Sequence, residues 1–573
     1  MSVKIMPKIK KYYPGLIILL VGLLFVSPQI LNKSIIFGAD VPFHFNRVYD
    51  VYMQLKTHNF NFFQMDYGFN QSGRIINALY GPGFAYFLGL ILFFVRSWLK
   101  FQVVTSFAIF VISGYLMYKL ATKLGVEKKF ATIAAVIFMS SYWIQSWVTV
   151  ESFMAWGTML MPLEIMVGID MIKFDPRKFS AVKLALVVAL VIQVHVLSAL
   201  FTVVAFLIFF VIGLVKTKER IKLFWKTVEA GILCLVLTFN VWGAMLEVFS
   251  TNNIVTPFPV ANMSKETVNL SVGNTSIYEL GLVVSIIYLV QIGYVLYKWK
   301  VVDFTNKVVT LIGGMFLLLA SNVVPWRTIG TYFGKIESLL QFPYRFLTIA
   351  SVLLIAGFAM SLSEMKHSSK SSFVPVELAA IIGAVFIAMG TFNGIQNAAL
   401  VWYSNWPIST KTPIIKTKQF TAAEFRNEMK SADLKRGLKL VTKGYPDYLP
   451  TSSKNLFANN NPYGIYAEEI IFNQKGFHKS VKGNTLTVRW HSNKNAKKTM
   501  VPVTVYKNSQ VSLNGTKLNN DAIKLTKIGT PVISSRKGKN ELRLAYKSSL
   551  ISKYSLWLVA VAWVLCIIFV LVI

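Results

Sequence analysis

A short polar segment, GADVPFHFNR at 38–47, directly follows the first long apolar run of the sequence. If a helix begins at Asp40, a common N-cap residue, then Asp40, His44 and Arg47 lie on one face, since spacings of three and four stack on a helix. A carboxylate there could act as a general base on a hydroxyl group, and a guanidinium could hold a phosphate. The alternative is structural: Asp40 caps a juxtamembrane helix, and Arg47 reaches toward lipid phosphate.

Four more polar side chains lie at the ends of apolar stretches. Glu151 lies between two apolar runs in a tryptophan-rich segment, which is typical of a membrane interface. His195 lies within an apolar stretch of about 35 residues, which is too long for one span and must fold back near the histidine. Gln341 and Arg345 lie at the start of a run that begins near Phe342. A buried core histidine and an anchoring arginine are the simpler interpretations, although ionisable groups at membrane depth commonly face a cavity.

The composition indicates that membrane-spanning helices position these residues. Of the 573 residues, 54% are hydrophobic and 15% are charged, which excludes an ordinary soluble protein. The first apolar run follows a basic start and lacks a small-residue cleavage site, which indicates a retained anchor. The run 83–95 after YGPG is short and is predicted to be re-entrant or interfacial. The predicted spans, of about the 20 residues that a crossing needs, are 14–31, 102–121, 130–148, 153–172, 182–194, 197–215, 228–248, 277–297, 307–324, 344–363, 375–392 and 552–573.

Basic clusters between these runs are typical of cytoplasmic loops and set the topology. They place the N- and C-termini in the cytoplasm of a multi-pass cell-membrane protein and predict about 12 crossings. The domains are a transmembrane domain at 1–392 with a first outer loop at 32–82, an extracellular domain at 393–550, and a C-terminal transmembrane helix at 551–573. This topology puts the polar residues described above on the outer side, so we predict that they share one outward-facing site.

The predicted outer domain is basic and rich in β-strand patterns. Residues 401–550 contain 26 Lys and Arg against 8 Asp and Glu, without a spanning run. This excess predicts an anionic neighbour, such as lipid headgroups or a phosphate-rich polymer, whereas nucleic acid is not expected as a partner. LTVRW, VPVTVY and ELRLAY are typical of strands, and SLNGTKL contains the Asn-Gly of a tight hairpin, so a small sandwich is predicted. Residues 411–470 are expected to mix short helices with loops.

The residue types favour transfer of a group that is carried on a lipid phosphate. One carboxylate would take the proton of an acceptor hydroxyl, and an arginine would stabilise the charge left on the phosphate. The sequence has no glycine-rich phosphate loop, serine-hydrolase elbow or closely spaced histidine pair. Its two cysteines, Cys234 and Cys566, lie in apolar runs, so neither a disulfide framework nor a cysteine metal site is expected.

The sequence resembles the GT-C superfamily, integral-membrane glycosyltransferases that use lipid-phosphate sugars. The resemblance rests on an acidic residue just after the first helix, a second at the next outer junction, and a soluble domain after about a dozen helices. More narrowly, GADVPFHFNR, HVLSAL, QFPYRFL and PDYLP (446–450) are similar to the bacterial multi-spanning membrane protein family labelled 6-pyruvoyl-tetrahydropterin synthase-related, and to envelope proteins implicated in glycosylating lipoteichoic acid. The pterin label implies no activity, since the sequence shows no three-histidine zinc constellation.

The resemblance implies a polytopic α-helical, GT-C-like membrane protein with an extracellular β-rich domain. It implies transfer of a sugar from a polyprenyl-phosphate carrier to an envelope acceptor, which would be a teichoic acid, a polysaccharide or a glycolipid. The site residues that it implies are Asp40 and Glu151 as the catalytic acidic groups, Arg345, Gln341 and Arg47 as ligands of the donor phosphate, and His44 and His195 as lining of the pocket. No cofactor is required. A divalent metal would be held by Asp40 and Glu151, although the sequence lacks the Asp-x-Asp pair of metal-dependent members.

Two other functions stay open at this point. A lipid or polysaccharide transporter or flippase would line a route through both leaflets, whereas the polar residues here gather at one leaflet. A non-catalytic scaffold would bind envelope polymer through the basic domain alone.

Overall fold

The computed structural model describes residues 5–273, 276–368, 373–408, 414–453, 456–459 and 461–572. Its α-helices are α1 (Ile5–Asn32), α2 (Val41–Thr57), α3 (Pro82–Val95), α4 (Trp98–Lys123), α5 (Lys128–Met139), α6 (Tyr142–Val150), α7 (Met154–Ile172), α8 (Ala181–Val194), α9 (Val196–Lys216), α10 (Arg220–Leu237), α11 (Phe239–Thr251), α12 (Leu282–Tyr297), α13 (Phe304–Ala320), α14 (Trp326–Tyr332), α15 (Lys335–Leu339), α16 (Leu347–Ser368), α17 (Val374–Val401), α18 (Ala422–Met429), α19 (Lys435–Leu438), α20 (Leu456–Asn459), α21 (Pro462–Tyr466) and α22 (Leu550–Val572). Its strands are β1 (Ile414–Lys416), β2 (Val441–Lys443), β3 (His478–Lys482), β4 (Thr485–Ser492), β5 (Lys497–Met500), β6 (Ser509–Leu513), β7 (Thr516–Lys517), β8 (Lys524–Leu525), β9 (Pro531–Ser535) and β10 (Gly538–Tyr546).

Long apolar helices occur at eight of the twelve predicted spans. Within the described residues, eight helical segments have the length and composition of a membrane crossing: Tyr12–Asn32, Trp98–Lys123, Lys128–Val150, Met154–Ile172, Val196–Lys216, Pro343–His367, Val374–Tyr403 and Leu550–Val572. The predicted span 228–248 is divided between α10 and α11 by a break at Thr238, and this pair would be a ninth crossing. The predicted class, a polytopic helical membrane protein with a β-rich domain before its last helix, is confirmed.

Four apolar helices are shorter than these spans. Within the part of the chain that the structure describes, they are α3, α8, α12 and α13, each of 10–17 residues. The last three lie at the predicted spans 182–194, 277–297 and 307–324, so the helices that form there are shorter than the full crossings that the sequence predicts. The run 83–95 forms α3, and its re-entrant or interfacial placement stays a prediction. The orientation of the termini and the outer side of the membrane also stay predictions.

The first of two compact units consists of Met1–Ile36, Gln102–Cys234 and Pro259–Trp402. Inside it α16 is the central helix, because α5, α12 and α13 pack around it and 94% of its apolar stretch is buried. A small residue allows this approach, since the Gly357 position on α16 faces the side chains of Gln291 and Thr310.

The second compact unit consists of Phe37–Phe101, Leu235–Phe258 and Tyr403–Ile573. It contains an antiparallel sheet in the order β3-β4-β10-β6-β7 and another sheet in the order β5-β9-β8. Residues of both sheets, including Val488 and Ile533, share one apolar core, which confirms the predicted small sandwich. The strands predicted at LTVRW and ELRLAY are β4 and β10.

The Asn-Gly hairpin predicted in SLNGTKL is the turn between β6 and β7. The φ angles are 52° at Asn514 and 91° at Gly515, both in the left-handed region that this turn requires. Short helices and loops alternate through most of the predicted mixed region 411–470, which confirms that interpretation for its described residues.

The strand predicted at VPVTVY, residues 501–506, is wrong. Pro502 has no N–H group to donate to a sheet ladder, and the segment is irregular. Its three valines nevertheless fill the sandwich core. Val501 N donates to the Pro531 carbonyl at 3.0 Å and Val505 N to the Gly529 carbonyl at 2.9 Å, so the segment keeps two backbone partners at and beside β9.

Candidate functional site

Asp40 lies at the start of α2, as predicted, but its side chain does not cap the helix. Pro42 suits the first turn of α2, which begins at Val41. Within the described chain, the Asp40 side chain makes no capping hydrogen bond. Its Oδ1 accepts a hydrogen bond from Lys443 Nζ in a salt bridge between residues 403 positions apart. The capping interpretation of this carboxylate is therefore wrong.

Lys443 ends β2, a strand whose three residues are all buried. Its side chain is 7% exposed, and that of Asp40 is 35% exposed. A buried ammonium is costly unless it is paired. Asp40 supplies the opposite charge, and the centre of the Tyr445 ring lies 4.1 Å from Lys443 Nζ. The ion pair thus fixes the orientation of a carboxylate that stays about one-third exposed.

A second carboxyl group, Asp447, lies close to this ion pair. Burial raises the pKa of Asp447 to about 6, and the Asp40 charge adds to this effect, whereas the charges of Arg74 and Lys443 oppose it. We call Asp40, Lys443, Asp447 and Arg74 the Asp40 cluster. Its two carboxyl groups lie in different environments, as is typical of sites that transfer protons.

Arg74 anchors the segment that carries Asp447. Its side chain is fully buried, and its Nη2 donates to the Asp447 backbone carbonyl at 2.5 Å. The rings of Phe69 and Tyr466 lie 5.0 and 4.8 Å from the guanidinium carbon. Cation–π contacts of this kind stabilise a desolvated guanidinium. Arg74 is therefore a positioning residue for Asp447.

The loop after α2 supports Arg74 through a strained turn. The φ angles at Phe69, Asn70 and Gln71 are 48°, 60° and 52°, a left-handed conformation that is costly for residues with side chains. Lys479 Nζ donates to the Asn70 carbonyl at 2.7 Å and helps to hold the turn. The turn places the Phe69 ring against the Arg74 guanidinium.

Two buried carboxyl groups lie at the base of the same loop. Asp50 Oδ1 accepts hydrogen bonds from the backbone N–H groups of Tyr67 and Gly68 at 2.7 and 3.1 Å. Asp66 accepts from Gln64 Nε2 at 2.6 Å. Burial raises the pKa of Asp50 to about 6 and that of Asp66 to about 7, where the Asp50 charge contributes. Both groups hold the loop.

His44 and Arg47 come together on α2, with 3.2 Å between Nδ1 and Nη1. Arg47 Nε also donates to Asn77 Oδ1 at 2.9 Å, and its Nη2 donates to the Tyr80 carbonyl at 2.8 Å. Burial lowers the pKa of Arg47 to about 10, so the group stays charged at neutral pH. These contacts show Arg47 bracing α2 against the loop that precedes α3.

Glu151 directly follows α6 and is buried, with a left-handed φ of 56°. Its Oε1 accepts from Gln102 Nε2 at 3.1 Å. The same Gln102 binds both backbone groups of Ile36: it donates to the carbonyl at 2.8 Å and accepts from the N–H at 3.1 Å. Through Gln102, Glu151 therefore helps to fix the chain shortly before Asp40.

His195 is the break between α8 and α9, as predicted. Its Nδ1 accepts from Ser198 N at 3.3 Å, so the imidazole caps α9. Arg345 and Gln341 also lie together as predicted, since Arg345 Nη2 donates to Gln341 Oε1 at 3.5 Å. Arg345 Nη1 donates to the Leu340 carbonyl at 2.7 Å.

The predicted site residues are divided between the two units. Asp40, His44 and Arg47 belong to the second unit, and Glu151, His195, Gln341 and Arg345 belong to the first. That these seven residues share one outward-facing site stays a prediction.

Three members of the Asp40 cluster were not among the predicted site residues. Asp447 lies in PDYLP, one of the segments that carry the family resemblance, and this was a usable signal. Lys443 resembles the many surface lysines of a basic domain, and Arg74 lies in a loop without a motif. Nothing local in the sequence marks either of them.

Asp40 and Glu151, the residues that would hold a divalent metal if one is used, belong to different units, and a metal between them stays a prediction. Such an ion needs several oxygen ligands, whereas Asp40 binds Lys443 and Glu151 accepts from Gln102. Among the described residues, no group of three or more His, Cys, Asp or Glu side chains is arranged to hold a metal. We therefore derive no step through a metal ion.

No protein-family model and no curated protein matches the chain, so the narrower family stays a prediction. Among solved structures, the chain is similar to the arabinofuranosyltransferase AftD from Mycobacteria, with 18% identity, a TM-score of 0.41, and coverage of 68% of this chain and 27% of AftD. It is also similar to the Archaeoglobus fulgidus oligosaccharyltransferase tethered with an acceptor peptide, with 14% identity, a TM-score of 0.37, and coverage of 69% of this chain and 57% of that enzyme. Both names denote glycosyl-transferring enzymes.

Proposed function

We propose that this membrane protein transfers a sugar from a polyprenyl-phosphate carrier to a cell-envelope acceptor on the outer face of the membrane. The observation that carries the proposal is the Asp40 cluster. It holds an accessible carboxylate and a second carboxyl group with a raised pKa, shortly after the first spanning helix. A donor anchored in the bilayer must react close to such a helix end.

In the proposed reaction, Asp40 takes the proton of the acceptor hydroxyl as that oxygen attacks the anomeric carbon of the sugar. The bond between this carbon and the phosphate oxygen breaks, and its electron pair leaves with the lipid phosphate. Asp447 is the second acidic group, because a carboxyl group with a pKa near the working pH exchanges protons effectively. Arg345, with Gln341 beside it, binds the departing phosphate in this proposal.

The remaining predicted residues receive supporting roles in the proposal. His44 and His195 line the pocket. Arg47, which the sequence predicts as a phosphate ligand, braces α2 through its contacts with Asn77 and Tyr80. Glu151 positions the chain before Asp40 through Gln102.

The proposed acceptor is an anionic envelope polymer, such as a teichoic acid, or a glycolipid. The supporting observation is the basic excess of 26 Lys and Arg over 8 Asp and Glu in residues 401–550. In this proposal residues 393–550 are extracellular and both termini are cytoplasmic.

The proposal is tested by mass analysis of envelope polymers from cells that lack the protein and from cells that are complemented with variants. Wild type should restore a sugar on one polymer or glycolipid, and Asp40→Asn should restore little of it at normal protein abundance. The matched control is Asp170→Asn, because Asp170 also pairs with a lysine, Lys123, at 2.6 Å but lies outside the Asp40 cluster. This control should restore the sugar fully.

Two results would contradict the proposal. If envelope polymers carry the same sugars with and without the protein, then the protein does not have the proposed transfer activity. Purified protein that moves a lipid-linked sugar between leaflets of proteoliposomes, without transferring it to any acceptor, would replace the proposal with a transport function.

A further inference from the structure

We propose that a basic cleft at the end of the β-rich region binds the headgroup of an anionic, hydroxyl-bearing membrane phospholipid. The cleft has a volume of about 620 Å³ and is separate from the Asp40 cluster. We call it the lysine cleft; its lining includes Lys507, Gln510, Lys517, Asn520, Asp521 and Lys547. The inference does not depend on the proposed transfer reaction.

The charges that line the lysine cleft favour a phosphate. Three lysines face one acidic residue, Asp521, whose Oδ1 accepts from Lys507 Nζ at 2.5 Å. Lys517 and Lys547 are exposed, and no salt bridge of either is found within the described chain. A surplus of two ammonium groups suits a phosphodiester, which carries a single negative charge.

The amide groups of the lysine cleft point to a ligand that also has hydroxyl groups. Asn520 Nδ2 donates to the carbonyls of Lys507 and Ser509 at 3.0 and 2.5 Å, which orients the amide. Its Oδ1 is buried, and no group of the described chain donates to it. That oxygen is closed off from solvent, so the exposed amide of Gln510, which also lines the cleft, supplies the donor and the acceptor for a ligand hydroxyl.

The lysine cleft lies close in sequence to the spanning helix α22, and this position indicates a membrane lipid as its ligand. Lys547 precedes Leu550, the first residue of α22, by three residues, a reach of about 10 Å at most. α22 has the length and composition of a membrane span, and its first turns expose Tyr554 and Trp557, residues typical of the headgroup level. The polar headgroup layer is itself about 5–8 Å thick on each side of the bilayer.

The end of β10 is also tied down, so that the cleft keeps its place relative to α22. Glu247 on α11 accepts from Tyr546 Oη at 3.1 Å and from Ser549 Oγ at 2.7 Å. Lys507 N donates to Asn252 Oδ1 at 2.8 Å, which holds the opposite wall of the cleft at the end of α11. The cleft is therefore a fixed feature at the start of a spanning helix.

The test measures lipid binding to the delipidated full-length protein in a neutral detergent. Short-chain phosphatidylglycerol is the probe, and short-chain phosphatidylcholine, which lacks both the net charge and the hydroxyl groups, is the comparison lipid. Replacing the three cleft lysines by Gln (Lys507→Gln, Lys517→Gln, Lys547→Gln) should weaken phosphatidylglycerol binding by about 100-fold, since each lysine near a membrane surface contributes about fivefold. The matched control is Lys482→Gln with Lys494→Gln and Lys498→Gln, exposed positions outside the cleft, which should change binding less than threefold.

Equal losses in the cleft variant and the control variant would overturn the proposal, since the effect would then be one of net charge alone. Equal affinities of wild type for the two lipids would also overturn it. Competition by inorganic phosphate at the same concentration as the lipid would assign the cleft to a free anion instead. If the triple variant does not fold, Lys517→Gln alone should weaken phosphatidylglycerol binding about fivefold, and an unchanged affinity would refute the inference.

Discussion

Replacing Asp40 by Asn tests whether its carboxylate acts as a base or only as a counter-ion. The substitution keeps the size of the side chain and an oxygen that can accept from Lys443, but it removes the negative charge. Loss of one partner from a buried ion pair costs about 3–5 kcal/mol of unfolding free energy. Because Asp40 is 35% exposed and the Tyr445 ring also faces the ammonium, we expect a smaller loss of about 1–3 kcal/mol.

The double substitution Asp40→Asn with Lys443→Met removes the buried ammonium as well. Replacing a buried ion pair by uncharged residues of similar volume is often neutral, so the double variant should unfold within about 1 kcal/mol of wild type. Turnover should stay about 100-fold or more below wild type in both variants, because neither has the carboxylate that accepts the proton. Lys443→Met alone keeps the carboxylate, which solvent can reach, and should lose less turnover.

Two measurements separate these roles. Thermal unfolding of the detergent-solubilised protein reports stability, and the amount of glycosylated envelope acceptor per folded protein reports turnover. If the double variant regains wild-type turnover along with its stability, then Asp40 serves only to neutralise Lys443 and the proposed base role is refuted.

The second unit gives three further predictions. Turnover should fall as the pH is lowered through about 6, because Asp447 is then protonated and loses its carboxylate form. Asp447→Asn should abolish this acidic fall in the pH–rate profile. If the fall is unchanged in the variant, Asp447 takes no part in proton transfer. Burial raises the pKa of Asp66 to about 7, so the native state binds a proton between about pH 4 and pH 7 that the unfolded chain does not bind. Thermal unfolding should therefore show stability decreasing as pH rises through this range, by up to about 4 kcal/mol, and Asp66→Asn should flatten the decrease; an equal slope in the variant would refute this assignment. Gly515→Ala should destabilise the protein by about 1–2 kcal/mol, because Gly515 has a left-handed φ of 91°. The control is Gly231→Ala, at an equally open position inside α10, which should be neutral or stabilising. Equal effects of the two substitutions in thermal unfolding would contradict this reasoning.

The membrane architecture could be predicted because a bilayer imposes a length and a composition on each crossing. The break at His195 was predictable for the same reason, since the apolar stretch around it exceeds one crossing. The hairpin at Asn514 and Gly515 could be predicted because few residue pairs adopt two left-handed conformations in succession. In each case the signal lies within a short stretch of sequence.

The failed strand at 501–506 shows a limit of such local signals. Alternating valines correctly identified residues that fill the core. They could not show that Pro502 interrupts the ladder, because the loss matters only where a neighbouring strand would accept that N–H group. Burial and strand pairing are separate consequences of the same pattern, and here burial was realised in full, whereas the backbone of Val501 and Val505 donates only two hydrogen bonds beside β9 and forms no regular ladder.

The Asp40 cluster could not be predicted because its pairs join distant segments. The first segment contributes Asp40 and Arg74, and the second contributes Lys443 and Asp447. Each segment therefore carries one positive and one negative charge. In the fold Asp40 forms an ion pair with Lys443, whereas Arg74 donates to the Asp447 backbone carbonyl and its charge lowers the pKa of the Asp447 carboxyl group. A reversed orientation of the two segments would separate Asp40 from Lys443 and leave the buried ammonium without its counter-ion. The charges thus favour one mutual orientation of the two segments, and that orientation leaves the Asp40 carboxylate partly exposed at the surface of the cluster. A fold-specifying role and a role in proton transfer are compatible in the same ion pair.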